Sequence, residues 1–193
     1  FNVVNDNKGL DFFIPDNEKF GKACLPPACH DGYIAFVTGG TYNTKKLPAE
    51  KVAAICNSTN YPVVLLGGAG EQETGENIEL ASKGNVFNYA GKTTISESAA
   101  LVRDANLVLT NDTGFMHIAA AFKKKIISFW GNTVPQFGMY PYLPDPASEI
   151  VELPDLKCRP CSKLGYRRCP QKHFRCMNDI DTSVAVDWIN RNF

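Results

Sequence analysis

Short apolar runs alternate with amphipathic segments from residue 33 onward. Each run is four to six residues long and rich in β-branched or aromatic side chains, which is typical of buried strands. The segments between the runs favour helices, and this alternation predicts an α/β fold with a doubly wound, mainly parallel sheet. The predicted strands are residues 33–38, 63–66, 85–89, 107–110 and 126–130. The predicted helices are residues 50–57, 72–82, 115–121 and 183–192, with a further helix that begins at Ser96.

The centre of the pattern is residues 106–130, which predict a complete strand, turn, helix and strand. Asp112 or Thr113 is well placed to cap the helix, and residues 123–125, all Lys, would complement the dipole at its end. Such a βαβ unit predicts a helix N-terminus at the carboxyl end of a buried strand. That position suits phosphate oxygens.

Two segments lack this periodicity. Residues 1–30 predict a connecting arm to another domain, with short strands at residues 3–4 and 12–14 in a hairpin around residues 7–9. Residues 138–160 carry five Pro and predict mostly loop. The domain would therefore be residues 31–193, with a cysteine-rich loop at 157–178 and a final helix within 182–193.

Composition narrows the class of protein. Twenty basic and twenty acidic residues cancel, which indicates no nucleic-acid partner. No run approaches the roughly 18 apolar residues of a transmembrane helix. The first residues do not have the pattern of a signal peptide, and the chain does not begin with Met. We therefore expect an engineered, proteolytic or processed fragment. The seven Cys predict mostly reduced thiols and a cytoplasmic protein.

Four loops follow predicted strands, at residues 39–46, 67–71, 111–114 and 131–135. In a doubly wound sheet these loops gather at one edge, where nucleotides and phosphates bind. Cations and backbone amides there suit a diphosphate, and a carboxylate suits a sugar hydroxyl. The candidate ligand-binding residues are Thr41, Lys45, Lys46, Glu71, Asp112, Thr113, Gly114 and His117.

Each candidate also has a purely structural interpretation. The two Lys are compatible with solvated surface charges, and Glu71 with the start of a helix. Asp112 is compatible with a helix cap, worth about 1 kcal/mol, and His117 with a satisfied core histidine. The sequence has no Walker A motif, no GxGxxG at a strand end and no nucleophile elbow.

The cysteine-rich loop allows two interpretations. Its CxxC pair followed by two further Cys and a His resembles a zinc site. The spacing of the second pair departs from the usual CxxC, so we prefer a reduced loop that packs near the final helix. The candidate zinc ligands are Cys158, Cys161, Cys169 and Cys176.

Several of these motifs together resemble one enzyme family. GTYNTKKLP, LLGGAGEQE, NYAGKTTISESAALVRDANLVLTNDTGFMHIAAA and FWGNTVP are similar to the C-terminal half of the family 9 glycosyltransferases. These are ADP-heptose:lipopolysaccharide heptosyltransferases with the two-domain GT-B fold. The segment CRPC…CP..H..CM resembles the tail of the heptosyltransferase II-like branch. The resemblance covers residues 31–193 and implies a Rossmann-like, three-layer αβα domain that forms one half of a GT-B enzyme.

The resemblance also assigns roles to individual residues. It implies that residues 112–114 receive the diphosphate and sugar with His117 behind them, and that Thr41 and Lys45 bind phosphate. Glu71 would bind the ribose and Thr93 would lie by the adenine, although some members have a larger apolar residue in place of Thr93. No DxD pair occurs in a strand-end loop, so no divalent metal and no other cofactor is expected.

The implied function is transfer of heptose from ADP-heptose to the inner core of lipopolysaccharide. The chain would be the donor-binding half, while an N-terminal half would supply the lipid A–core acceptor site and the general base. The arm and the Trp188-bearing final helix would pack on that missing half. The chain alone is then expected to be inactive, in the cytoplasm or peripherally at the inner face of the cytoplasmic membrane. A non-catalytic nucleotide-binding α/β module and a sugar-nucleotide epimerase-like enzyme remain the alternatives.

Overall fold

A computed structural model describes residues 4–193. Six strands form one sheet in the order β3-β2-β1-β4-β5-β6, and every neighbouring pair is parallel. The strands are β1 (Ile34–Val37), β2 (Val63–Leu66), β3 (Val86–Asn88), β4 (Leu107–Asn111), β5 (Lys125–Trp130) and β6 (Glu149–Glu152). The α-helices are α1 (Ala49–Ser58), α2 (Gln72–Leu80), α3 (Ile95–Asp104), α4 (Gly114–Ala121), α5 (Arg175–Asn178) and α6 (Ser183–Asn192). Short 3₁₀ turns cover Lys22–Cys24, Pro27–Cys29, Asn43–Lys45, Ala69–Glu71 and Pro135–Phe137.

Two apolar layers cover the sheet, one on each face. Side chains alternate along a strand, so Ile34 and Phe36 of β1 enter the layer formed with α1, α2 and α6. Ala35 and Val37 enter the opposite layer, formed with α3 and α4. Burial on both faces explains why the strands are continuous apolar runs. The expected three-layer αβα architecture is confirmed.

The five predicted strands are present, but a sixth was missed. The strand β6 lies within the proline-rich segment that was predicted to be mostly loop. It pairs only with β5 at the edge of the sheet, and its four residues are partly or fully exposed. An edge strand needs no long apolar run, which is why the hydrophobic pattern did not reveal it. The helix α5, of four residues, was also missed.

The arm differs from the prediction. No strand occurs in residues 4–30, so the hairpin is wrong where the structure describes it, and Val3 lies outside the described residues. Leu25 and Cys29 are instead buried in the layer with α3 and α4. The Lys22 amide donates to the Asp104 carboxylate at 3.1 Å. The second half of the arm therefore packs on its own domain.

The final helix also packs within this domain. We expected the Trp188-bearing face to await a missing half, and that expectation is wrong. Trp188 is fully buried, and its Nε1 donates to the Ala147 carbonyl oxygen at 2.7 Å. The amide of Ser183, at the start of α6, donates to Asp181 at 2.9 Å, which lowers the pKa of that carboxyl.

The helix α4 begins without the predicted side-chain cap. Thr113 occupies the N-cap position, but neither its hydroxyl nor the Asp112 carboxylate accepts a bond from the first-turn amides. At the other end, Lys123 adopts a left-handed conformation with φ of 53° and Lys125 already belongs to β5. The three Lys therefore do not all belong to the end of the helix.

All seven cysteines are free thiols. Burial raises the pKa of Cys29 to about 11 and that of Cys56 to about 12. Both thiols therefore stay protonated at neutral pH, as expected for small apolar core residues. Within residues 4–193, none of the helices is long and apolar enough to cross a membrane.

Gly75 of α2 allows a test of the contact between this helix and β3. A Cβ at this position would lie 2.6 Å from Cγ and 2.8 Å from Nδ2 of Asn88. The Asn88 side chain cannot move freely, because its Nδ2 donates to the Gln72 carbonyl oxygen and its Oδ1 accepts from the Ala90 amide. We expect Gly75→Ala to lower the free energy of unfolding by about 1–3 kcal/mol, measured by urea denaturation.

The matched control is Gly70→Ala, where a Cβ would meet no atom within 4 Å. We expect this variant to change the free energy of unfolding by less than about 0.5 kcal/mol. Equal effects of the two substitutions would contradict the packing argument.

Candidate functional site

The four strand-end loops meet at the carboxyl edge of the sheet, as predicted. A Cβ on Gly40 of the first loop would lie 3.6 Å from Cγ2 of Thr113. A Cβ on Gly39 would lie 3.3 Å from a Glu71 carboxylate oxygen, which connects the first loop to the second. One on Gly131 would lie 2.8 Å from the Thr44 carbonyl oxygen. The loops therefore form one continuous surface.

Asn111, the last residue of β4, connects two of these loops. Its Oδ1 accepts the amide of Leu47 at 2.9 Å. Its Nδ2 lies 3.1–3.4 Å from the carbonyl oxygens of Val37, Thr38 and Gly39. The side chain is 1% exposed, so these bonds replace contacts with water. Asn111 thereby positions both ends of the loop that carries Lys45.

Lys45 and Asp112 form the central ion pair of the site. Their charged groups are 2.7 Å apart, and the side chains are only 12% and 5% exposed. The other contact of the carboxylate is the Thr133 hydroxyl, which donates to Asp112 at 2.8 Å. A pair this buried stabilises the fold only while both charges remain, because removal of one leaves the other uncompensated. Asp112 therefore holds the ammonium group of Lys45 at the carboxyl end of β4.

Glu71 is bound by its own surroundings rather than directed into solvent. Its Oε1 pairs with Lys46 at 2.6 Å, and its Oε2 accepts the Gly68 amide at 3.0 Å. The pair is partly buried, with side-chain exposures of 25% for Lys46 and 14% for Glu71. Two consecutive residues of the first loop, Lys45 and Lys46, therefore pair with carboxylates of two other loops.

The start of α4 is open and rich in unpaired polar groups. No atom lies within 4 Å of the position of a Cβ on Gly114. The Thr113 hydroxyl is buried without a hydrogen-bond partner within residues 4–193, and so are both polar atoms of the Asn132 amide. A buried polar group without a partner costs about 1–3 kcal/mol. These groups and the uncapped amides suit a polar, anionic ligand.

Two further predicted residues are Thr41 and Thr93. Thr41 is exposed in the first loop. Thr93 follows β3, and its hydroxyl lies 2.7 Å from that of Ser98. The amide of Gly91 donates to the Gly67 carbonyl oxygen at 3.0 Å, which attaches the loop of Thr93 to the second loop.

His117 lies one turn into α4, on the same side of the helix as Gly114. It is half-buried and, with Leu10 and Phe12 of the arm, lines a cavity of about 140 Å³. Its imidazole makes no hydrogen bond to any residue from 4 to 193, so the interpretation as a satisfied core histidine is wrong.

The cysteine-rich loop has no preformed metal site in the described part of the chain, where no three His, Cys, Asp or Glu side chains are arranged to bind a metal ion. Cys158 Sγ lies 3.9 Å from His173 Nε2, and the Cys161 thiol donates to the Cys158 carbonyl oxygen at 2.9 Å. Burial raises the pKa of Cys176 to about 11, and the neighbouring thiols of Cys161, Cys169 and Cys158 raise it further. The zinc site and the reduced loop therefore both stay predictions.

Sequence reasoning missed the residues that connect the loops, namely Asn111, Thr133 and Arg159. Arg159 is buried, and its guanidinium donates to Glu152 at 2.8 Å and to the carbonyl oxygens of Gly131 and Thr133. The available signal for Asn111 was a polar residue directly after a buried strand. No local signal marks Arg159, because two of its partners, Gly131 and Thr133, are distant in the sequence.

Comparison with known proteins identifies the family of this chain. The family model of glycosyltransferase family 9 (heptosyltransferase) matches residues 13–170. The lipooligosaccharide heptosyltransferase 2 of Haemophilus influenzae is 32% identical over 167 residues, which cover 81% of this chain and 46% of that protein. The enzyme of the same name from Campylobacter jejuni serotype O:6 is 30% identical over 138 residues, or 69% of this chain and 42% of that protein.

A solved structure shares the fold. The Escherichia coli ADP-heptose lps heptosyltransferase II superimposes with a TM-score of 0.67 at 22% identity, over 85% of this chain and 49% of that one. This chain thus spans less than half the length of the curated relatives it matches. The family model also begins within the arm, at residue 13, and includes most of the cysteine-rich loop. On the match to the family model and the identity to both relatives, the chain belongs to glycosyltransferase family 9.

Proposed function

We propose that this chain is the donor-binding half of an enzyme that transfers heptose from ADP-heptose to the inner core of lipopolysaccharide. The observation that carries the proposal is the position of Lys45, buried beside the uncapped start of α4. A cation and free amides that converge on one point are the groups that stabilise a diphosphate. The names of the relatives support the same substrate class.

The dimensions of the edge support a nucleotide sugar. Three inter-strand steps separate β3 from β4 in the sheet, or about 14 Å at about 4.8 Å per step. An extended nucleoside diphosphate sugar has a similar length. The adenine would lie by Thr93 after β3, the ribose by Glu71 after β2, and the diphosphate and sugar by Asp112, Thr113 and Gly114 after β4. Thr41 would assist with phosphate, and His117 would lie behind the sugar.

The proposed reaction is a displacement at the anomeric carbon. An acceptor hydroxyl oxygen forms the new bond to C1 of the heptose, and the bond from C1 to the diphosphate oxygen breaks. ADP leaves with the electron pair, and the hydroxyl proton passes to a general base of the N-terminal half. Lys45 and the first amides of α4 stabilise the negative charge that develops on the leaving diphosphate.

The chemistry of the site does not call for a divalent metal. No DxD pair occurs in a strand-end loop, and Lys45 supplies the positive charge that a metal ion would otherwise provide. The acceptor, a lipid A–core saccharide, would bind between this domain and the N-terminal half. We place the enzyme in the cytoplasm, with peripheral association at the inner face of the cytoplasmic membrane.

The first test concerns Lys45. We expect Lys45→Ala to weaken ADP binding by about 1.5–3 kcal/mol, the range for charged hydrogen bonds, with little change for adenosine. Isothermal titration calorimetry of both ligands measures the difference. Lys83→Ala is the control, because Lys83 precedes β3 and therefore lies at the opposite edge of the sheet. Equal losses for ADP and adenosine would mean that Lys45 acts only through the fold.

A second test concerns the metal. We expect the affinity for ADP, measured by the same titration, to be unchanged when EDTA is present, because Lys45 neutralises the diphosphate. Binding that disappears on chelation would refute the metal-free site.

A third test concerns turnover. We expect residues 1–193 to bind ADP but not to transfer heptose, because the acceptor and the donor must be held together in a closed site. Release of ADP from ADP-heptose in the presence of a lipid A–core acceptor measures transfer. Co-expression with the N-terminal half of a relative should restore it. Transfer by residues 1–193 alone would overturn this division of roles.

A further inference from the structure

A strongly basic segment lies outside the donor site. Residues 157–178 contain seven of the chain's twenty basic side chains and no acidic residue, although the whole chain has no net charge. Two of the seven are neutralised, since Arg159 pairs with Glu152 and Arg175 with Asp179. The seven are Lys157, Arg159, Lys163, Arg167, Arg168, Lys172 and Arg175.

Three of the unneutralised cations, all of them exposed, line one cavity. Arg167, Arg168 and Lys172 line a cavity of about 350 Å³ and form no ion pair with any residue from 4 to 193. Phe174 and Cys169 add apolar surface to the same wall. Pockets that combine an apolar wall with a few converging charges are typical of small-molecule sites.

Part of the lining of this cavity belongs to the loop of the donor site. Asn43 and Thr44 line it, and the adjacent Lys45 makes the ion pair with Asp112. The Thr44 hydroxyl donates to the Tyr166 carbonyl oxygen at 3.0 Å and accepts the Tyr166 amide at 2.8 Å. The cavity and the donor site are therefore the two sides of one 3₁₀ turn, Asn43–Lys45.

The backbone of the basic segment is held in an unusual conformation at this cavity. Lys172 and Phe174 have φ angles of 61° and 47°, in the left-handed region that bulky residues rarely adopt. The Phe174 carbonyl oxygen accepts the amides of Met177 and Asn178, which connects this backbone to α5. Residues strained in this way cluster at ligand clamps.

We propose that this cavity binds an anionic sugar of the acceptor, through its carboxylate or phosphate group. The cations would pair with the anionic group, and the sugar ring would lie against Phe174. The assignment of the anion to the acceptor rests on the proposed function, since an acceptor must approach the donor site. The binding of an anionic sugar in this cavity does not depend on the proposed function. The donor diphosphate is satisfied by Lys45 and α4 on the other side of the turn.

The test uses two probes, glucose 6-phosphate and glucuronate, titrated into the 193-residue chain with and without saturating ADP and followed by NMR or calorimetry. We expect at least one probe to bind equally well in both conditions. The double variant Arg167→Ala/Lys172→Ala should raise the dissociation constant of that probe about tenfold or more, as expected for the loss of charged hydrogen bonds. Its affinity for ADP should be unchanged.

Lys163→Ala is the matched control, because Lys163 is an exposed cation of the same segment that does not line the cavity. It should change the dissociation constant of the probe by less than about twofold. Competition with ADP, an equal loss in the control, or no binding of either probe would each overturn the proposal. Binding of a probe to a chain that fails to bind ADP would support the cavity and refute the donor site.

Discussion

The buried carboxamide of Asn111 controls the geometry on which the candidate site depends. It accepts the amide of Leu47 and lies within hydrogen-bond distance of three carbonyl oxygens after β1, so it holds the first loop against the end of β4. In this position the loop places the ammonium group of Lys45 beside the Asp112 carboxylate. With both partners almost fully buried, a displaced loop would leave two uncompensated charges, which is far more costly than the loss of one exposed contact.

The same loop divides two chemical environments. Lys45 faces Asp112 and the open start of α4, while Thr44, its neighbour, is fixed to Tyr166 and faces the basic segment. Arg159 stabilises the loop after β5, because its guanidinium donates to carbonyl oxygens of that loop. The basic segment is therefore attached to the first and fourth loops by hydrogen bonds of the Thr44 and Arg159 side chains.

The arm and the final helix show how far a local pattern can mislead. Residues 1–30 have weak periodicity and resembled a connecting arm, yet Leu25 and Cys29 complete the apolar layer over α3 and α4. Trp188 was expected to pack on another domain, because the final helix was assigned to a contact with the missing half of the enzyme. It is buried instead, since β6 and its preceding loop supply the surface that the hydrophobic pattern did not reveal.

The sequence by itself determined the fold class, the five main strands and the convergence of four loops, because buried parallel strands are continuous apolar runs whose carboxyl ends share one edge. It also identified Lys45, Asp112 and Glu71 as residues of that edge. Only the tertiary structure decided their partners. The pairs Lys45–Asp112, Lys46–Glu71 and Arg159–Glu152 join different segments of the chain, and an ion pair between segments follows from how the loops pack, which no local spacing records.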